Sequence, residues 1–293
     1  MKARFIYLLI GILLILGVIL TGVTTIDSET MKLIEKSLEI NTEEIWPGFK
    51  LSDYPIDINY KKVEFRYEDG EILEQKPTLE VLALSAIMED GQGILKVLPF
   101  GMVRNISDLG GMDIITQENM YISILVHEGF HCFQFENGLS YLDLKNMDQV
   151  NLESMKKQDF DNLDYMLDED KNYQRLWVDE INSLLSYFNT GSLDEFYKSK
   201  SEKENYEKIV LGDKFEEFSQ YRNEFELQEG TARYVEERVL EILGESNHTL
   251  EFDGGYRKGV EKYYFSGAIK SYILKDKGKL FDEVKFDSKE III

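Results

Sequence analysis

TQENMYISILVHEGFHCFQFENG, running from Thr116 to Gly138, is where the pattern of this 293-residue chain turns from strands to helices. Thr116 can cap a helix that continues to about Glu136 and stops at Asn137-Gly138. Upstream, IDINYKKVEFRY (Ile56 to Tyr67) alternates and is rich in strand formers, and Glu68-Asp69-Gly70 makes a hairpin turn into EIL. Leu79 to Met88 reads as strand or helix, Gly91-Gln92-Gly93 breaks it, and ILKVLPF (Ile94 to Phe100) reads as another strand. Further back, Asp27 or Ser28 can cap a short helix with Met31, Ile34 and Leu38 on one face, and WPGF (Trp46 to Phe49) turns the chain after it. Downstream the spacing predicts helices over Glu169 to Asn189, over a segment opened by the capping box Ser192 to Glu195, over Lys214 to Leu243 and over Val260 to Lys275. A small, mainly antiparallel sheet over residues 55–100 followed by helices is an α+β pattern.

Composition narrows the class. Lys plus Arg number 33 against 55 Asp plus Glu, a formal net charge of −22, which argues against nucleic acid as a partner because phosphate binding needs basic patches. With 43% hydrophobic residues and only 4 Pro, the chain has the means to build a core. The single cysteine, Cys132, excludes an internal disulfide and any multi-cysteine zinc site, and its place beside a histidine on a helix reads as a buried structural thiol. Lys2 and Arg4 precede an uncharged apolar run, Phe5 to Val23, of transmembrane length. No small-x-small cleavage site follows, so residues 1–26 read as a signal anchor that leaves the rest of the chain outside the cytoplasm; if the segment is cleaved instead, the protein is secreted. Residues 27–115 then form a sheet subdomain, and 116–293 a helical subdomain with an insertion at about 139–212. The acidic run Asp159 to Asp170 lacks the glycine and ligand spacing of a calcium loop and reads as a solvated helix face.

Chemistry concentrates in His127-Glu128-Gly129-Phe130-His131, an HExxH pattern inside the helix that Thr116 opens. Four residues are slightly more than one turn, so both imidazoles leave the same face and can hold one tetrahedral Zn²⁺. Glu128, next to the first of them, can take a proton from a zinc-bound water. Chance accounts poorly for the pattern: three His and 34 Glu in the chain give an expectation of about 0.004 occurrences. Gly129 costs about 1 kcal/mol in a helix interior relative to Ala, so close packing near a substrate is the reading there. A catalytic zinc needs a third protein ligand and one open position. His248, in GESNHT, reads as a surface loop residue, which leaves a carboxylate: Glu229 in LQEGTARYVE is the candidate, with Glu226 and Glu236 as alternatives near the same face.

These residues resemble the gluzincin metallopeptidases, especially the aminopeptidase N-like branch, which pairs an HExxH helix with a second helix reading NEGxxxY. Gln228-Glu229-Gly230-Thr231-Ala232-Arg233-Tyr234 is similar to that second motif, with Gln in the Asn position. The resemblance implies that Glu229 is the third zinc ligand. The branch also carries a tyrosine in a YxxGA context that stabilises the tetrahedral intermediate; Tyr264-Phe265-Ser266-Gly267-Ala268 is similar, and Tyr256 to Gly259 is a poorer second copy. Gly110-Gly111-Met112-Asp113 is only a faint echo of the branch's exopeptidase motif, so aminopeptidase specificity does not carry over. The resemblance spans three short motifs between residues 117 and 274.

The expectation is therefore a membrane-anchored, extracytoplasmic zinc metallopeptidase of zincin-like α+β fold. His127, His131 and Glu229 bind Zn²⁺, Glu128 is the general base and Tyr264 the oxyanion donor, and the substrate is a peptide or protein. The strand Ile94 to Phe100 is the expected sheet edge for an extended substrate. The alternative is a zinc-binding envelope protein of the same fold that regulates or holds a substrate without cleaving it.

Overall fold

In the computed structural model the described residues are 25–60, 62–77, 84–110, 117–139, 147–288 and 290–293. The apolar run Phe5 to Val23, the cap residue Thr116 and the first half of Leu79 to Met88, residues 79–83, lie outside them. No described helix is long and apolar enough to cross a membrane.

The architecture is α+β. Helix α1 (Ser28–Leu38) starts at Asp27, whose carboxylate accepts the Thr30 N–H at 2.8 Å. A short α2 (Thr42–Ile45) and the turn at Gly48, with φ of +83°, lead into the sheet. Its strands are β1 (Ile56–Asn59), β2 (Glu64–Glu68), β3 (Glu71–Gln75), β4 (Ser85–Glu89) and β5 (Gln92–Val97), in the order β3-β2-β1-β5-β4. The sheet is mixed: β1 runs parallel to β5, and the other three pairings are antiparallel. Both hairpins turn on Asp-Gly with positive φ at both residues, 51° and 80° at Asp69-Gly70 and 51° and 88° at Asp90-Gly91. The sequence reading found the first turn; the second carried the same two-residue signal inside a segment read only as a break.

One expectation is corrected here. β5 ends at Val97 and lies between β1 and β4, so the strand read from Ile94 onward is interior and cannot offer a free edge. The edge beside the helical half is β4. Phe100 instead opens α3 (Phe100–Gly110), a helix the sequence reading did not predict.

Helix α4 (Glu118–Glu136) carries the HExxH residues and runs through the middle of the molecule. It approaches the sheet closely because two positions lack bulk. A Cβ on Gly93 of β5 would come within 2.5 Å of the Cys132 Cβ, and one on Gly129 would come within 2.3 Å of Leu51 Cδ1. The close packing read at Gly129 as lying near a substrate is instead against the core residues Leu51, Phe49 and Leu95. Cys132 is fully buried against β5, as read. On the next face of α4, Phe130 packs on Trp46 and Phe49 with centroids 4.9 and 5.2 Å apart. Each fully buried aromatic of this kind contributes about 1.5–3 kcal/mol by leaving water.

The remaining helices are α5 (Met147–Asp168), α6 (Lys171–Thr190), α7 (Asp194–Leu211), α8 (Phe215–Ile242), α9 (Glu261–Asp276) and the short α10 (Leu280–Glu283). α8 and α9 cross at two glycines: a Cβ on Gly230 would lie 2.4 Å from Gly267 Cα, and one on Gly267 would lie 2.4 Å from the Glu226 carbonyl oxygen. α9 is a shared wall. Ala268, Tyr272 and Leu274 join the main core, whereas Phe265, Ile269 and Ile273 meet Trp177, Ile181 and Phe196 from α6 and α7.

The acidic run in α5 is corrected in part. Asp164 and Asp168 are buried and receive the Lys262 ammonium at 2.7 and 2.8 Å. Asp159, by contrast, is exposed as expected.

Candidate metal centre

α4 places His127 and His131 one turn apart, and α8 brings Glu229 to the same point. The two imidazole Nε2 atoms are 3.1 Å apart; Glu229 Oε2 lies 3.5 Å from one and 3.4 Å from the other. Ligands bound to Zn²⁺ at about 2.0–2.1 Å in tetrahedral geometry are separated by about 3.3–3.4 Å along each edge. The three separations match the edges of one tetrahedral face, and all three side chains are buried.

The second nitrogens of the rings are also engaged. His127 Nδ1 lies 3.0 Å from Glu236 Oε2, and His131 Nδ1 lies 2.6 Å from Gln134 Oε1. Glu236 is therefore not an alternative to Glu229: it orients His127, the kind of outer carboxylate that holds a metal histidine. Glu226, the other alternative, faces away and accepts from Lys270 Nζ at 2.5 Å and from the Ser266 hydroxyl. His248 is exposed in its loop.

Charge makes the site favourable to a cation. Burial pushes the His127 imidazole down, but the Glu229 and Glu236 carboxylates outweigh it and raise the ring to about 10. His131 moves up for the same reason, against burial and through Glu229. Burial pushes Glu229 up, and the two histidines carry it well below the usual carboxylate range. The field that attracts protons to these nitrogens equally favours a divalent metal, which binds to neutral imidazoles and releases those protons. Donor types, spacing and charge all fit Zn²⁺.

Glu128 is half-buried beside the ligand atoms, and burial raises its carboxyl against the pull of His131 and His127. Its Oε2 accepts the Ala86 N–H of edge strand β4 at 3.1 Å. Tyr264, from α9, lays its ring almost parallel to His127, with centroids 6.2 Å apart and planes at 17°. Burial and then the nearby Glu229 carboxylate push its phenol far up, so the hydroxyl remains a donor.

The structure thus gathers His127, His131, Glu229, Glu128 and Tyr264 around one point. It sends two quoted tyrosines elsewhere: Tyr234 is a core residue against Trp46 and Tyr272, and Tyr256 packs on Trp177 and donates to Asp168. Of Gly110 to Asp113, only Gly110, at the end of α3, is described. Sequence reasoning missed Gln134 and the backbone of Ala86, although Gln134 lies one turn past His131 on the same helix and that spacing was visible.

Compared with known protein families, curated proteins and solved structures, the chain matches none.

Proposed function

We propose that the protein is a zinc-dependent peptidase of zincin type, related to the gluzincins, that hydrolyses peptide bonds outside the cytoplasm from a membrane anchor at Phe5 to Val23. The observation that carries this reading is the convergence of three buried ligand atoms, 3.1 to 3.5 Å apart, with the carboxylate of Glu128 beside them. A zinc ion held there supplies Lewis acidity, polarising a carbonyl and acidifying water.

The chain's own groups perform the rest. Glu128 accepts the proton of the attacking water and returns it to the departing amine; its raised carboxyl suits both transfers. The Tyr264 phenol donates a hydrogen bond to the carbonyl oxygen as negative charge develops on it. β4, whose outer edge faces Glu128 through Ala86, takes the role first assigned to the strand at Ile94: an extended peptide adds to it as a further strand, with its scissile bond at the metal.

The test is a peptide-library digest with zinc-loaded wild type and Glu128→Gln. Cleavage by wild type alone, with zinc retained in both, supports the peptidase. Full activity in a zinc-loaded Glu128→Gln protein overturns the mechanism. Zinc binding with no cleavage of any peptide leaves the regulator or substrate-holding protein. Membrane fractionation with and without residues 1–26 tests the anchor.

A further inference from the structure

His131 and His127 are held by chemically different partners. Glu236 is a carboxylate and accepts from either tautomer that presents an N–H. Gln134 is an amide, so which of its ends faces His131 decides which imidazole nitrogen carries the proton.

The hydrogen bonds around Gln134 settle that orientation. Its Nε2 lies 2.8 Å from the Gln228 carbonyl oxygen and 2.7 Å from Thr231 Oγ1. A backbone carbonyl only accepts. The Thr231 hydroxyl donates its proton to the Leu227 carbonyl at 2.7 Å, which leaves it accepting from Gln134. The amino end of Gln134 must therefore face α8, and its Oε1 faces His131 at 2.6 Å as an acceptor. His131 Nδ1 then carries a proton, which leaves Nε2, beside Glu229 and His127, as the nitrogen open to a metal. Gln134, Thr231 and Gln134's ring partner are all buried, so water does not compete.

We propose that Gln134 is a positioning residue for the metal centre: through an amide relay anchored on Gln228 and Thr231 of α8, it fixes His131 in the tautomer whose Nε2 binds metal. The relay also ties the ring of α4 to the turn of α8 that carries Glu229, so both ligand helices share one register at the site. This rests on the zinc reading above, and the experiment separates the two.

Zinc affinity is measured by chelator competition on the full chain, for wild type and for Gln134→Leu, Gln134→Glu and His131→Ala, with metal-free melting of each. Loss of an outer partner of a metal histidine typically weakens metal binding about 10–100-fold, and Gln134→Leu is expected to fall in that range. Gln134→Glu keeps an acceptor for Nδ1–H but sets a carboxylate oxygen against the Gln228 carbonyl, so affinity below wild type yet clearly above that of Gln134→Leu marks the acceptor role. A purely structural clip predicts the reverse, with Gln134→Glu as weak as Gln134→Leu. Wild-type affinity in a normally melting Gln134→Leu overturns the proposal and leaves the zinc reading intact. Absence of zinc in wild type, or undiminished affinity in His131→Ala, overturns the zinc reading itself. Should Gln134→Leu fail to fold, Gln134→Met takes its place in the same comparison.

Discussion

In the proposed mechanism Glu128 and Tyr264 divide the work at the residue scale. Glu128 stands one residue after a ligand, held by a backbone N–H of the edge strand, and touches neither of the other two ligands by hydrogen bond. Removing its basicity while keeping its shape leaves the ligand set in place. Glu128→Gln is therefore expected to keep its zinc and lose about 10²–10⁴-fold in kcat, as deletion of a general base does. Tyr264 stacks on His127, and in the mechanism proposed its neutral phenol donates to the developing charge. Tyr264→Phe keeps the stacked ring and removes the donor, so kcat should fall by about 10²-fold with KM little changed. A fall carried by KM alone would make Tyr264 a binding residue.

Elements explain why those residues meet. The glycines of the EGxxxY and YxxGA motifs are the crossing of α8 and α9, where backbone touches backbone. Gly230→Ala or Gly267→Ala pushes the two helices apart and should cost about 1–3 kcal/mol in melting experiments and weaken zinc binding together with it. The same crossing carries a buried ion pair with a pH signature. Burial pushes the Glu226 carboxyl up, but Lys270 and Ser266 prevail and hold it at about 2, below its ordinary 4.5. A folded-state value below the unfolded one stabilises above about pH 4.5, and that stability is lost as pH falls toward 2. The amount is on the order of 3 kcal/mol. Denaturation between pH 5 and 2 should show this decline in wild type, and Glu226→Gln should flatten it. Helices α8 and α9, and the turn at Asp69-Gly70, were legible because periodicity, caps and a two-residue turn signal are local. Their partners were not. Nothing in the order of residues says that β1 pairs with β5 in parallel, that β4 is the edge, or that Lys262 of α9 will be buried between Asp164 and Asp168 of α5, because these are contacts between distant segments. The candidate metal ligands were readable for the opposite reason: HExxH is fixed by one helical turn, and Glu229 by its motif, whereas Glu236 reaches the ring of His127, and Gln134 is oriented toward His131 by Gln228 and Thr231, only when α4 and α8 come together.

At the scale of the whole molecule, buried charge fastens α5 to α9, α7 to α8 and α6 to α7, beside the apolar contacts. Lys262 bridges Asp164 and Asp168, Arg222 meets Glu207 at 2.6 Å, and Lys203 meets Glu180 at 2.7 Å. Breaking one partner strands the other in a dry interior, and Lys262→Met should cost about 3–5 kcal/mol in unfolding experiments. A loss below about 1 kcal/mol would mean that water reaches these pairs. Because α9 also carries Tyr264, such a variant should lose activity before it loses metal. All of this serves one buried centre, and the metal in it is the claim on which the rest stands. The most direct measurement is zinc per chain by mass spectrometry on the purified full-length protein, beside His127→Ala, Glu229→Ala and Glu128→Gln. One zinc per chain is predicted in wild type and Glu128→Gln, with loss in the other two. A well-folded wild type that holds no zinc after supplementation, or a Glu229→Ala protein that holds it as tightly, would contradict the account.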